Sequence, residues 1–237
     1  RVVGLPAGMD LEMPTSNGHT DAQLVAAVRD GSLDERALDI AAGRVLDLVR
    51  KAEAGAGSVA GPLDVDAHHA LAREAAGRGI VLLKNDGDLL PLREDASLAV
   101  IGAFAEKPRY QGAGSSKINP TRLDNALDEI RAYAGAERTA YAQGYTVSLR
   151  DTADPAELRA AAVALAAQQD VAVVFLGLPE AAESEGYDRE HIDLPADQLA
   201  LLDEIVAVNP NTVVVLSNGS VVALPFADRV PAILEAW

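Results

Sequence analysis

Val171-Ala172-Val173-Val174-Phe175-Leu176 is an unbroken apolar run, and the segment from Gly177 to Pro195 that follows it reads Gly-Leu-Pro-Glu-Ala-Ala-Glu-Ser-Glu-Gly-Tyr-Asp-Arg-Glu-His-Ile-Asp-Leu-Pro. Six apolar residues in a row, three of them valine, predict a strand buried on both faces. After Pro195 the apolar residues Leu199, Leu202, Ile205 and Val206 return at helical spacing. The segment between is therefore a long loop at the carboxyl end of a buried strand, where open α/β sheets bind ligands. It carries Glu180, Glu183 and Glu185, with Asp188 and Arg189 just beyond. Crowded carboxylates are expected to raise one another's pKa, partly offset by a nearby arginine, and a carboxyl kept protonated can act as a general acid. Asp188 and Arg189 are expected to brace the loop as an ion pair. On composition alone, however, an acidic loop is an ordinary solvated connection.

Working outward, Ser97–Gly102 and Thr212–Ser217 repeat the buried-strand pattern, and a further apolar run covers 80–85. Val221–Pro225 and Ala232–Trp237 read as two more short strands, and Tyr141–Tyr145 as a short strand and turn. Helical patterns separate them. One opens on Asp154-Pro155, an N-cap followed by a proline suited to the first helical turn. Another begins at Thr121, with Leu123, Ala126, Leu127 and Ile130 on one face. Strands alternating with helices predict an α/β fold, a mostly parallel sheet sandwiched by helices. The loop at 109–120, Arg-Tyr-Gln-Gly-Ala-Gly-Ser-Ser-Lys-Ile-Asn-Pro, is rich in glycine and serine but has neither nucleotide-binding glycine pattern. Upstream, Asp21–Arg29 and a segment running to about Ala54 are amphipathic, the second opening on a capping box from Ser32 to Glu35. The stretch 55–65, small and nearly uncharged, reads as a linker.

The 237 residues carry a formal net charge of −16. Phosphate backbones and anionic membrane surfaces are recognised by clustered lysine and arginine, so neither nucleic acid nor membrane is an expected partner. A neutral small molecule is compatible. There is no cysteine, hence no disulfide framework or thiolate metal site. His68 and His69 are adjacent and point to different faces of a helix, so they read as surface or capping residues; no metal and no cofactor are expected. The chain opens on Arg1 and stops at Trp237, and both ends are expected to be internal to a longer polypeptide. The compartment, cytoplasmic or secreted, is left open.

Several segments together resemble glycoside hydrolase family 3, the β-glucosidase family. They are Glu183–Arg189 with Asp193-Leu194-Pro195 and Gln198; Gly8-Met9-Asp10-Leu11-Glu12-Met13-Pro14; Ala72–Ala76 with Ile80–Asn85 and Leu90-Pro91-Leu92; the 109–120 loop; and Pro231–Trp237. The resemblance implies that 1–54 is the end of a (β/α) barrel domain with its last strand and helices, 55–65 a linker, and 66–237 most of an α/β sandwich domain. It implies a retaining, exo-acting β-glycosidase, most directly a β-glucosidase. Retention uses two carboxyls about 5 Å apart, one the nucleophile and the other acid then base. The family's nucleophile is an Asp of the barrel lying upstream of the segment that Gly8–Pro14 resembles, so it is absent here, and Asp10 is expected only to hold a local turn. The acid/base then comes from the acidic loop. Glu183 is favoured, Glu185 is second and Glu180 third, the remaining glutamate orienting the proton donor or raising its pKa. Arg109 and Lys117 are candidate substrate-binding residues, or else partners of the acidic loop. The implied partners are a sugar or glycoside and the rest of the same polypeptide, or a complementing barrel domain; the segment alone is expected to be inactive. β-Xylosidase or α-arabinofuranosidase activity is the alternative within enzymes. Outside them, the alternatives are a non-catalytic carbohydrate-binding or interaction remnant, or a free-standing nucleotide-binding α/β domain.

Overall fold

The computed structural model describes residues 2–57, 61–148 and 151–237. Residues 58–60, part of the expected linker, lie outside it. The chain divides into two units, Arg1–Leu63 and Asp64–Trp237.

In the first unit, turns up to His19 lead into α1 (Asp21–Arg29) and α2 (Glu35–Gly55). The expected last strand of a barrel does not form among the described residues of this unit. Gly4, Pro6, Gly8 and Pro14 interrupt the stretch, and a strand needs a continuous row of paired amides. Gly31, at φ +79, lets the chain turn between the two helices. The cap of α2 is Asp34, whose carboxylate accepts from the Arg36 amide at 2.9 Å. The capping box from Ser32 is thus corrected: its amide is bound to Asp30 and its hydroxyl to the Ala27 carbonyl. An ionised carboxylate beside the first turn is the stronger acceptor there. Asp10 pairs with Arg44 of α2 at 3.1 Å rather than closing its own turn.

The second unit contains α3 (Val65–Gly79), β1 (Val81–Asn85), β2 (Leu98–Ile101), α4 (Ala103–Glu106), α5 (Ala126–Ala134), β3 (Thr139–Ala142), α6 (Pro155–Ala166), β4 (Val171–Gly177), α7 (Ala196–Val208), β5 (Thr212–Ser217) and β6 (Ala232–Glu235). The six strands make one sheet in the order β1-β6-β5-β4-β2-β3. All neighbouring pairs are parallel except β1 with β6. β4 is buried along its whole length, as its apolar run requires, and β2 likewise. Leu201, Leu202 and Ile205 of α7 and Ala162 and Ala166 of α6 are fully buried in the same core. Burying each such leucine or isoleucine contributes about 1.5–3 kcal/mol.

Three expectations are corrected. β1 runs antiparallel at the sheet edge and leaves Val81, Leu82 and Leu83 about half exposed. The stretch 221–225 is not a strand; the Ala223 amide bonds to the Ile192 carbonyl instead, and Pro225 has no amide to offer. α5 begins at Ala126 rather than Thr121, because Asn125 caps it by accepting from the Asp128 amide at 2.8 Å. Leu123 is left outside the helix and exposed.

α3 buries no residue, and polar contacts tie it to the segment before α5. His69 meets Asp124 at 2.8 Å, and Arg73 pairs with both Asp124 and Glu129. His69 is therefore a partly buried partner of a carboxylate, not a surface or capping residue. Hydrogen bonds from His69 and Arg73 push the Asp124 carboxyl down to about 2.

The winding reverses at one place. From β2 the chain goes to β3 on one side, then returns to lay β4 on the other side of β2 and continues through β5 to β6. The segments leaving β2 and β4 emerge side by side at the carboxyl ends of these strands. The strands approach closely there: a Cβ on Gly177 would lie 2.0 Å from the Ser217 carbonyl oxygen, and one on Gly102 2.3 Å from that of Phe175.

Candidate functional site

The segment after β2 and the segment after β4 share a parallel backbone bridge, Ala113 to Ser184. Gly114 makes this possible: it sits at φ +86, and a Cβ there would come within 2.7 Å of the Glu185 Cβ. The bridge puts the serine-rich loop beside the acidic loop, and Glu180, Glu183 and Glu185 each find a different partner.

Glu183 is held on all sides. Its carboxylate accepts from the Arg109 guanidinium, the Ser220 hydroxyl and the Gly219 amide, the last at 3.1 Å. Arg109 also donates to the Glu183 carbonyl at 3.4 Å. Both side chains are nearly buried, with 10% and 12% of their surface exposed. Burial alone would raise this carboxyl's pKa, but the hydrogen bonds from Ser220, Gly219 and Arg109 outweigh it and hold the group below its usual range. Among the described contacts the Glu185 carboxylate is bonded by one residue, Ser115, whose hydroxyl and amide both donate to it, the amide at 2.9 Å. These bonds lower its pKa as well. The expected mutual raising of the glutamates is therefore corrected. Glu183 and Glu185 are each charge-stabilised by donors from other loops, and these outweigh the effect of burial and lower both pKa values.

Glu180 pairs with Lys117 at 2.6 Å in an exposed contact. Arg109 and Lys117 thus both engage the acidic loop, the second of the two roles open to them. The Asp188–Arg189 brace is also replaced. Arg189 reaches the segment after β5, donating to the Ser220 hydroxyl at 2.9 Å and the Val221 carbonyl at 2.7 Å.

A cavity of about 700 Å³ opens over this junction. Arg109, Glu183, Glu185, Tyr187, Ser220 and Trp237 are among its lining residues, and Lys117 is not. Both favoured glutamates therefore border one space, but their chemistry differs. Glu183 is saturated with donors, whereas Glu185 lies at an exposed position with one residue to release. Such a space, with a carboxylate, hydroxyls and aromatic faces on its walls, suits a polar, uncharged ligand.

Sequence reasoning missed Ser115, Asn218, Gly219, Ser220 and Glu235. Asn218-Gly219-Ser220 had a signal, being turn residues at the carboxyl end of a buried strand. Glu235 had another, an acid inside an apolar run. It is buried, which raises its pKa, and accepts from Asn218 and from the Trp237 amide. Among the described residues no group of three or more histidine, cysteine or acidic side chains could hold a metal ion, and no helix is long and apolar enough to cross a membrane.

Comparison with known proteins adds three findings. The model of the glycosyl hydrolase family 3 C-terminal domain matches residues 80–237. The chain is 48% identical over 238 residues to thermostable beta-glucosidase B of Acetivibrio thermocellus, covering all of this chain and 31% of that protein. It is 47% identical over 247 residues to an exo-alpha-(1->6)-L-arabinopyranosidase of Bifidobacterium longum, covering all of this chain and 32% of that one. Among solved structures, a Bifidobacterium adolescentis GH3 beta-glucosidase superimposes with a TM-score of 0.84 at 48% identity over the whole chain and 34% of its own. A Listeria innocua beta-glucosidase in complex with glucose gives 0.82 at 26%, over the whole chain and 32% of its own. The chain spans about a third of the length of the curated relatives it matches in full.

Proposed function

The chain belongs to glycoside hydrolase family 3, and from that premise we propose that it is the part of a retaining, exo-acting β-glycosidase that supplies the general acid/base, with Glu185 in that role. The observation that carries the assignment is the unequal bonding of the two glutamates on one cavity wall. A proton donor must be free to meet a glycosidic oxygen. Glu185 gives up only Ser115 to do so, whereas Glu183 would have to abandon Arg109, Gly219 and Ser220. Glu183 is then the anchor of the loop.

In this reading the cavity receives the terminal sugar together with the partner barrel, which brings the nucleophilic carboxylate. Closure removes water from Glu185, which raises its pKa and leaves it protonated for the first step. Glu185 protonates the departing oxygen as the nucleophile attacks the anomeric carbon. Its carboxylate then takes a proton from the water that releases the sugar. Residues 1–54 are read as the end of that barrel domain and 66–237 as most of the sandwich domain.

A β-glucoside is the first-choice substrate, supported by the 48%-identical β-glucosidase. An α-L-arabinopyranoside is the second, because a relative of that activity matches at 47%. Near-equal identity to both supports a choice of sugar made largely outside these residues.

The test uses the full-length protein and a panel of nitrophenyl glycosides. Glu185→Gly is expected to lower kcat/KM on substrates with poor leaving groups by about 10³-fold, the middle of the range for one acid/base group, and azide should restore turnover on activated ones. Rescue of Glu183→Gly instead would reverse the roles. No hydrolysis of any glycoside by the wild-type protein would favour a non-catalytic binding remnant. Residues 1–237 alone are expected to hydrolyse none of the panel.

A further inference from the structure

Glu235 lies at the end of β6, opposite Leu216 of β5. Only 8% of it is exposed, and no lysine or arginine pairs with it among the described contacts. A buried acid without a cation is costly unless its oxygens have work as acceptors. Here one oxygen accepts from the Trp237 amide at 3.1 Å, and the other lies 3.4 Å from the Asn218 amide nitrogen. That same nitrogen donates to the Ser220 carbonyl at 3.1 Å. Asn218 therefore ties the 218–221 segment both to itself and to the sheet.

The segment in turn grips the acidic loop at two points. Gly219 and Ser220 bind the Glu183 carboxylate on the N-terminal side of Glu185. Ser220 and Val221 accept from Arg189 on its C-terminal side. Glu185 sits between the two grips.

We propose that Glu235 is a positioning residue for the acid/base: it fixes the 218–221 segment, and that segment holds the loop on either side of Glu185. The proposal rests on the reading of Glu185 as the acid/base. It adds a residue 50 positions away that never touches the sugar. Loss of the anchor lets the segment shift, and the loop shifts with it. The carboxyl then misses the leaving oxygen by a distance that matters for proton transfer and little for binding.

The experiment compares kcat/KM on an alkyl glycoside, which needs a proton at its leaving oxygen, with that on a 2,4-dinitrophenyl glycoside, which does not, in the full-length protein. Glu235→Ala is expected to lower the first about tenfold or more and the second less than about twofold. Glu235→Gln keeps one acceptor and should recover part of the loss. Ser220→Ala, which cuts the link one step nearer, should reproduce the same selective loss. The double variant Glu235→Ala, Ser220→Ala should be no worse than the poorer single variant, the signature of one shared path. Equal losses on both substrates, or no loss on the alkyl glycoside, would overturn the proposal. If Glu235→Ala does not fold, Glu235→Gln and Ser220→Ala decide by the same ratio. Glu185→Gly is measured alongside. If it shows no leaving-group selectivity, the acid/base reading itself fails; if it does and the Glu235 series does not, only the positioning role falls.

Discussion

Glu183 shows how far a side chain's surroundings can override its neighbours in sequence. Beside Glu180 and Glu185 it suggested mutual repulsion, yet its carboxylate is the most heavily bonded in the loop. Removing it strands Arg109, whose Nε is already buried without a partner. Glu183→Ala should therefore destabilise the fold by about 3 kcal/mol, the range for breaking a buried ion pair. Glu183→Gln, which keeps its acceptor oxygen, should cost less. Chemical denaturation of the two variants distinguishes them. The acidic cluster was legible because charge in a loop after a buried strand can be read directly. Its partners were not, because Arg109, Gly219 and Ser220 lie 74, 36 and 37 positions away. The direction of the pKa shifts was misjudged for the same reason. Acids adjacent in sequence were visible, and donors arriving from other loops were not.

At the scale of elements, the buried strands β2, β4 and β5 follow from apolar runs that only a sheet interior can satisfy. The errors lie where local pattern and tertiary contact diverge. The 221–225 run has strand-like residues but no strand beside it, and α5 starts where Asn125 supplies a cap rather than where the apolar spacing begins. Orientation was invisible too, since nothing in β1 marks it as the antiparallel edge. α3 is the element most dependent on polar contacts. The folded-state pKa of Asp124, about 2, lies below the unfolded value of about 3.9. Its contribution to stability is therefore complete above pH 4 and is lost as the pH falls toward 2. Asp124→Asn should weaken the hold on α3 at neutral pH and flatten the acid dependence over that interval. Hydrogen exchange at the amides of 65–79, followed between pH 2 and 7, measures both effects.

At the scale of the whole molecule, the division at Leu63 and Asp64 leaves the entire sheet and its core in the second unit. Residues 64–237 produced alone should therefore unfold in one cooperative transition by circular dichroism. Loss of cooperativity would mean that the first unit is required for the second to fold. The reversal of winding between β2 and β4 has a wider consequence. The two segments that build the cavity wall leave from adjacent strand ends, beyond the last rung of the ladder, and they meet through one backbone bridge and side-chain contacts. Residues can be inserted into either, or swapped between lineages, without disturbing a hydrogen bond of the sheet. A sheet wound this way can take changes in its cavity wall one loop at a time while its interior stays as it is.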